Sequence, residues 1–140
     1  MAIELKGQCP LLQVFDMPVS LAFYRDKLGF EIVQSAPSGN DGGPDNFGWV
    51  WLRLGGADVM LNTAYDPDAE RPASPKAARV AAHDDTGIFF SCSNVDAAYE
   101  HVRSEGLEAD PPTNAPYGMR QLYLKDPDGF SLCFQRPIEL

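Results

Sequence analysis

One pattern of apolar spacing occurs twice along this chain, and few folds accommodate such a duplication. In residues 9–64, an apolar segment that favours a strand is followed by helical spacing and then by three short strand-like runs. Residues 87–135 repeat the same order. The sequence therefore predicts an α+β fold built from two tandem βαβββ modules.

Each predicted helix has a start signal and a stop signal. Asp16 and Asn94 are placed to cap the helix N-termini, and Gly29 and Gly106 follow the last helical residues, where a left-handed conformation is expected. A loop rich in Gly and Pro is predicted at residues 37–46. The predicted strands are residues 9–15, 30–34, 47–54 and 58–64 in the first half, and residues 87–92, 107–109, 119–125 and 130–135 in the second.

Residues 66–85 follow neither period and contain several prolines, so we interpret them as a linker that holds a short helix at residues 76–82. Modules of about 55–60 residues are too small to close a core alone. We therefore expect module one (residues 7–65) and module two (residues 86–136) to form a single domain spanning residues 1–140. In that arrangement a curved mixed sheet encloses a cleft, which is where a ligand would bind.

Composition excludes several classes of partner. The chain has 20 acidic and 11 basic residues, and a formal charge of −9 argues against binding to nucleic acid or to an anionic membrane. Its three cysteines, Cys9, Cys92 and Cys133, form no CxxC spacing, which favours a reducing compartment over a disulfide framework. No apolar run is typical of a signal peptide or a membrane span. We expect a cytoplasmic protein.

Two motifs carry a resemblance to a known family. The runs FYRDKLGF at residues 23–30 and KDPDGF at residues 125–130 resemble the vicinal oxygen chelate superfamily, which includes glyoxalases, bleomycin resistance proteins and extradiol dioxygenases. The resemblance covers nearly the whole chain outside the linker and implies the same two-module fold. It does not imply one activity, because this scaffold hosts unrelated chemistries.

Catalytic members of that superfamily hold a divalent metal through four side chains, usually His, Glu or Gln. The resemblance places these positions at Cys9, at Leu61 or Asn62, at Gly87 and at Cys133. Strand alternation favours Asn62 over Leu61. None of these residues is a histidine or a carboxylate, so we expect no metal, no cofactor and no catalytic residue. We interpret the two cysteines as small apolar fillers, the alternative being a redox pair or a soft-metal site.

Alternation along the strands predicts which side chains line the cleft, because alternate residues face the helix. Val50, Leu52 and Leu54 form a uniform apolar set and are assigned to the helix-facing side, which leaves Trp49 and Trp51 on the other face. The predicted cleft residues are Cys9, Trp49, Trp51, Met60, Asn62, Phe89, Ser91, Gln121, Tyr123 and Cys133.

Four further polar residues are candidates for chemistry. Tyr117 and Arg120, expected in the loop before the seventh strand, could bind an anion or polarise a carbonyl, but no base lies beside them in the sequence. His83 lies in the linker and His101 in the second helix. We expect both histidines to be solvated.

Aromatic walls with a few neutral hydrogen-bonding groups suit a planar or amphipathic organic ligand. The resemblance to metal-free members of the bleomycin resistance type implies a homodimer that sequesters such a ligand rather than an enzyme. Two alternatives stay open. One is a metal-dependent lyase or dioxygenase of the same superfamily, and the other is an interaction module whose tryptophans pack against a second copy.

Overall fold

A computed structural model describes residues 1–39 and 43–138 of the chain. The chain divides into two compact units, Met1–Ala73 and Ser74–Leu140. The central part of the loop predicted at residues 37–46, namely residues 40–42, lies outside the described residues. Among the described residues, no helix combines the length and the apolar character needed to cross a bilayer.

The first unit contains one four-stranded sheet and one main helix. Its elements are β1 (Leu11–Val14), α1 (Met17–Leu21), β2 (Glu31–Pro37), β3 (Phe47–Leu54) and β4 (Ala57–Thr63). The strand order is β1-β4-β3-β2, with β1 parallel to β4 and the other pairs antiparallel. The helix continues beyond α1 as a π-helical segment, Ala22–Lys27, in which the adjacent Phe23 and Tyr24 are both buried.

The second unit repeats this arrangement after an extra short helix. Its elements are α2 (Ala77–Ala82), β5 (Gly87–Ser91), α3 (Val95–Ser104), β6 (Thr113–Asn114), β7 (Met119–Lys125) and β8 (Ser131–Pro137). The strand order is β5-β8-β7-β6, with β5 parallel to β8. Two mixed four-stranded sheets, each formed by a strand, a helix and three strands, confirm the predicted α+β class and the two βαβββ modules.

The predicted helix caps are confirmed. The Asp16 Oδ1 atom accepts a hydrogen bond from the Val19 amide at 3.5 Å, and the Asn94 Oδ1 atom accepts one from the Ala97 amide at 3.0 Å. Gly29 and Gly106 have φ values of 100° and 78°. Both glycines therefore occupy the left-handed region in which a side chain is strained.

The strand predicted at residues 107–109 is wrong, because β6 lies at Thr113–Asn114. The Leu107 amide donates to the Val102 carbonyl at 3.0 Å, and the Gly106 amide donates to the Arg103 carbonyl at 3.0 Å. These bonds are typical of a helix C-cap in which an apolar residue follows the glycine. The apolar character of Leu107 thus belongs to the end of α3 and not to a strand.

The first sheet buries the apolar set that strand alternation predicts, with one exception. Val50, Leu52, Val59 and Leu61 are fully buried in the first unit. Leu54 was assigned to the same set, but its side chain is 41% exposed. It is the last residue of β3 and pairs with Ala57 across the Gly55–Gly56 turn, so the end of this hairpin extends past the buried core.

Residues 66–85, predicted as a linker, contain α2 and two short 3₁₀ turns, at Asp68–Glu70 and at His83–Asp85. Arg71 binds Asp68 at 3.0 Å and lies 3.8 Å from Asp16, so the beginning of the segment contacts the first unit. The end of the segment belongs to the second unit, where α2 packs against the turn that contains the KDPDGF motif.

This turn is built around Asp126. Its Oδ1 atom accepts hydrogen bonds from the amides of Asp128 and Phe130 at 2.9 and 2.8 Å. A carboxylate that binds backbone amides two and four residues ahead closes the chain into a tight turn. The acidic residues of the motif therefore have a structural role.

Helix α2 contacts the same turn so closely that residue 129 has no room for a side chain. Gly129 has a φ of 87°, and a Cβ atom there would overlap the Val80 carbonyl oxygen. The Arg79 Nη1 atom binds the Asp128 Oδ1 atom at 2.9 Å, and Asp128 is only 2% exposed. The requirement for glycine in the motif is thus both conformational and steric.

We expect Gly129→Ala to destabilise the protein more than Gly106→Ala. Both residues have a positive φ, but a Cβ at Gly106 meets nothing within 4 Å. Gly106→Ala should cost about 1–2 kcal/mol from backbone strain alone, and Gly129→Ala about 3 kcal/mol or more, since α2 must also shift. Urea denaturation of both variants measures the difference, and equal losses would contradict the close contact.

Candidate functional site

In the first unit, the sheet face opposite the buried apolar set carries two indole rings. Strand register places Trp49 opposite Asn62 and Trp51 opposite Met60 on β3 and β4. All four side chains are half-buried. We call this set, Trp49, Trp51, Met60 and Asn62, the tryptophan face.

An ion pair lies at one end of the tryptophan face. The Arg53 Nε atom binds the Asp58 Oδ1 atom at 2.8 Å, and the Arg53 guanidinium lies 5.2 Å from the centre of the Trp51 ring. The hydrogen bond from Arg53 lowers the pKa of Asp58. Burial, and then the charge of Asp58, raise the pKa of Cys9, which is therefore protonated at neutral pH. This ion pair is not predicted from the sequence, although its members flank a two-glycine turn.

Two polar atoms of the tryptophan face are buried without a close hydrogen bond to any described residue. The Trp51 Nε1 atom and the Asn62 Oδ1 atom are both buried, and no group in the described residues forms a hydrogen bond with either. The Trp51 side chain nevertheless interacts with the Asp58 carboxylate and contributes to its lowered pKa, so of the two atoms only the Asn62 oxygen is left without a partner in the described residues. Unpaired buried donors and acceptors are rare because each has lost its water without replacement.

In the second unit, the corresponding sheet face carries a different set of side chains. Register places Phe89 opposite Cys133 and Cys133 opposite Tyr123. The rings of Phe89 and Tyr123 meet edge to face with centroids 6.3 Å apart. Cys133 lies between them and is 1% exposed. We call this set, Phe89, Gln121, Tyr123 and Cys133, the tyrosine face.

Gln121 lies on the tyrosine face, as strand alternation predicts, but it is 4% exposed and held by its neighbours. Its Nε2 atom donates to the Tyr117 hydroxyl at 2.8 Å and to the Gln135 Oε1 atom at 2.9 Å. Its Oε1 atom accepts from the Tyr123 hydroxyl at 3.3 Å. A buried amide with this many partners stabilises the sheet and has little capacity left for a ligand.

The ionisable groups of the tyrosine face remain protonated at neutral pH. Burial raises the pKa of Cys133, so the residue is neither a thiolate nucleophile nor a ready metal ligand. Burial, and then the neighbouring Cys133, raise the pKa of Tyr123 to about 12. Tyr123 as a residue is 46% exposed, but its hydroxyl lies beside Gln121 and Cys133 and loses solvation there.

Arg120 is not a loop residue available to an anion. It is the second residue of β7, and its Nη2 atom binds the Asp96 Oδ1 atom of α3 at 2.6 Å. Its Nη1 atom donates to the Asn114 Oδ1 atom at 2.9 Å. The guanidinium therefore connects β7 to α3 and β6, and the predicted role as an exposed anion ligand has no support in this geometry.

His83 is not solvated as predicted. Its ring stacks on Phe130 with centroids 3.9 Å apart, and its Nδ1 atom lies 2.7 Å from the Asp128 carbonyl oxygen. These contacts add to the attachment of α2 to the motif turn. His101, in contrast, is exposed on α3.

The residues at the metal-ligand positions of the superfamily do not fit a catalytic divalent ion. Cys9 and Cys133 have raised thiol pKa values, Asn62 supplies an amide, and Gly87 supplies no side chain. Within residues 1–39 and 43–138, no group of three or more His, Cys, Asp or Glu side chains is arranged to hold a metal ion.

The chain contains two βαβββ units, and each unit carries aromatic side chains on one face of its sheet. This arrangement is typical of a class of small two-module proteins. The chain belongs to the Glyoxalase/Bleomycin resistance protein/Dioxygenase superfamily, whose family model matches residues 8–134. It is 30% identical over 122 residues to the uncharacterized protein YaeR of Escherichia coli (strain K12), and the match covers 84% of each chain.

Solved structures share the fold. A glyoxalase/bleomycin resistance protein/dioxygenase from Nocardioides matches 99% of this chain and 87% of its own, with a TM-score of 0.71 and 21% identity. TnmS3, an antibiotic binding protein from Streptomyces sp. CB03234, matches 98% of both chains, with a TM-score of 0.64 and 24% identity. At these identities the likeness shows the fold alone.

We expect Tyr123 to make the stability of the protein fall between pH 10 and about 12. The unfolded tyrosine ionises near its ordinary pKa of 10.0, whereas the folded one keeps its proton up to about 12. The stabilising contribution is complete below pH 10 and is lost as the pH rises through the folded pKa. Urea midpoints measured from pH 9 to pH 12 should fall less steeply in Tyr123→Phe. Identical slopes would contradict the raised pKa.

Proposed function

We propose that the protein binds an aromatic or amphipathic small molecule without a metal cofactor. The observation that carries this proposal is the tryptophan face, on which the half-buried Trp49 and Trp51 lie two residues apart on β3. Indoles on one sheet face offer a flat apolar surface at low conformational cost. Such a surface suits a planar ring system better than it suits water.

The chemistry of the two faces supports binding rather than catalysis. Cys133 and Tyr123 are held protonated, and Asp58 is paired with Arg53. A general base needs a pKa near the working pH and a position beside the reacting atom. In the described part of the chain, neither face carries a group that meets both conditions. We therefore propose a sequestering protein and not an enzyme.

The family and the fold neighbours are compatible with this proposal. TnmS3, which shares the fold, is an antibiotic binding protein. The charge of −9 disfavours nucleic acid and anionic membranes as partners.

By its resemblance to the metal-free members, we propose that the protein is a cytoplasmic homodimer. Light scattering of the purified protein should give twice the mass of 15.3 kDa, and a monomer would contradict this part of the proposal.

We expect planar aromatic compounds to quench the tryptophan fluorescence saturably in protein dialysed against a chelator. A suitable panel contains daunorubicin, 9-aminoacridine and 2-naphthamide. Trp51→Ala should weaken binding by about tenfold or more, measured by calorimetry, because it removes the stacking surface. Tyr99→Ala is the control, since this aromatic residue lies on α3 and pairs with Arg103.

Two outcomes would contradict the proposal. One is an absence of saturable binding across the panel. The other is a stoichiometric metal content together with turnover of a 2-oxoaldehyde–thiol adduct or a catechol, which would establish the metal-dependent lyase or dioxygenase instead.

A further inference from the structure

We propose that Arg53 competes with the ligand for the tryptophan face, and that a planar ring carrying an ammonium or similar cationic group displaces it best. The Arg53 guanidinium turns away, and the ligand stacks on Trp51 with its cation beside Asp58. This inference rests on the proposed function and adds the charge class of the ligand. It arises from the contacts of one guanidinium with a ring and a carboxylate of the same sheet face.

Three side chains form a cluster at one end of the tryptophan face. The register of β3 and β4 pairs Arg53 with Asp58 and Trp51 with Met60, so Asp58 is a diagonal neighbour of Trp51. The Arg53 Nε atom binds the Asp58 Oδ1 atom at 2.8 Å, and the guanidinium carbon lies 5.2 Å from the centre of the Trp51 ring. A ring and a carboxylate that hold one planar cation between them form a cation-binding surface, which the chain's own arginine occupies here.

Arg53 can leave this surface with little loss of free energy. Its side chain is 48% exposed, whereas that of Asp58 is 24% exposed. An arginine with this exposure regains water around its guanidinium when it turns away, and exposed ion pairs and cation–π contacts are weak. The less exposed Asp58 carboxylate is the partner that needs a replacement, and a ligand cation supplies one.

The Asp58 carboxylate also has capacity for another donor. Its Oδ1 atom accepts the short bond from Arg53, but its Oδ2 atom lies 3.5 Å from the Arg53 Nη2 atom. The hydrogen bond from Arg53 and, more weakly, the Trp51 side chain lower the pKa of Asp58, which is therefore ionised at neutral pH. An ionised carboxylate only accepts hydrogen bonds. It selects a ligand group that donates, and it disfavours a ligand carboxylate.

The charge of a ring determines how readily it displaces Arg53. A neutral ring that stacks on Trp51 separates the guanidinium from the indole and supplies no charge in return. A cationic ring supplies its own charge both to the indole and to Asp58. The overall charge of −9 attracts the same class of ligand and repels an anion.

Calorimetric titration at neutral pH with three probes of similar size tests the charge class. The probes are 2-naphthylmethylamine, which is protonated, 2-naphthylmethanol, which is neutral, and the anion 2-naphthoate. We expect the amine to bind about fivefold more tightly than the alcohol, as one exposed cation–π contact or ion pair provides. The naphthoate should bind most weakly. Added salt should reduce the preference for the amine because it screens the charges.

Variants assign this preference to the cluster. Arg53→Gln removes the competitor and should raise the amine-to-alcohol ratio of affinities by a further factor of about five. Asp58→Asn should abolish the preference for the amine. In the double variant the gain from Arg53→Gln should vanish, because the carboxylate that it sets free is missing.

Arg103→Gln is the matched control. Its guanidinium lies 5.7 Å from the centre of the Tyr99 ring on α3, so the same change is made beside another aromatic ring. All three affinities should be unchanged in this variant. Urea midpoints of every variant check that the protein is folded.

Two outcomes would overturn the inference and leave the proposed function intact. One is equal binding of the amine and the alcohol by the native protein. The other is an unchanged amine-to-alcohol ratio in Arg53→Gln, which would make the contact with Asp58 an ion pair of the hairpin and nothing more. An absence of saturable binding by these probes and by the aromatic panel would overturn both.

Discussion

Side chains alternate between the two faces of the sheet along β3 and β4, and this alternation determines which residues of the two strands are buried in the core and which lie on the opposite face. Val50, Leu52, Val59 and Leu61 are all fully buried, and this apolar set fixes the register of the two strands against the helix side. A slip of one residue would exchange the two faces and bury the tryptophans in place of the valines and leucines. The tryptophan face is therefore a direct consequence of the core. Any ligand specificity it has is linked to the same residues that stabilise the sheet.

The fold could be predicted because its signals are local. Helix caps such as Asp16 and Asn94, and glycines at helix ends, act through neighbours three to six residues away, so a single sequence displays them. The prediction failed where an apolar residue does not belong to the strand or to the buried core that its residue type indicates. Leu107 closes the end of α3 although it resembles a short strand, and Leu54 continues the alternation of β3 beyond the part of the sheet that has a core. The alternation of apolar residues along a strand does not show where the layer that packs against the strand ends.

The site could be predicted only in part. Alternation assigns side chains to a face but says nothing about their hydrogen bonds, which depend on residues far away in sequence. Strand alternation predicts Gln121 as a ligand-binding residue, but its side chain is bonded to Gln135, 14 residues on. His83 appeared solvated and packs against residues more than 40 positions later. The unpaired Asn62 oxygen on the tryptophan face likewise requires coordinates, because lacking a partner in the described residues is a property of the whole environment.

Because α2 packs against the motif turn, the second compact unit begins before the second repeat. The unit starts at Ser74, whereas the repeat starts at β5. Asp128 is nearly inaccessible to solvent and its carboxylate is paired with Arg79, which precedes the repeat. A fragment cut at residue 86 would keep the whole repeat but lose Arg79 and His83, and with them the ion pair and the ring stacking that attach α2 to the motif turn. A fragment cut at residue 74 keeps the pair. The second copy of the repeat is thus completed by residues that lie outside it in the sequence.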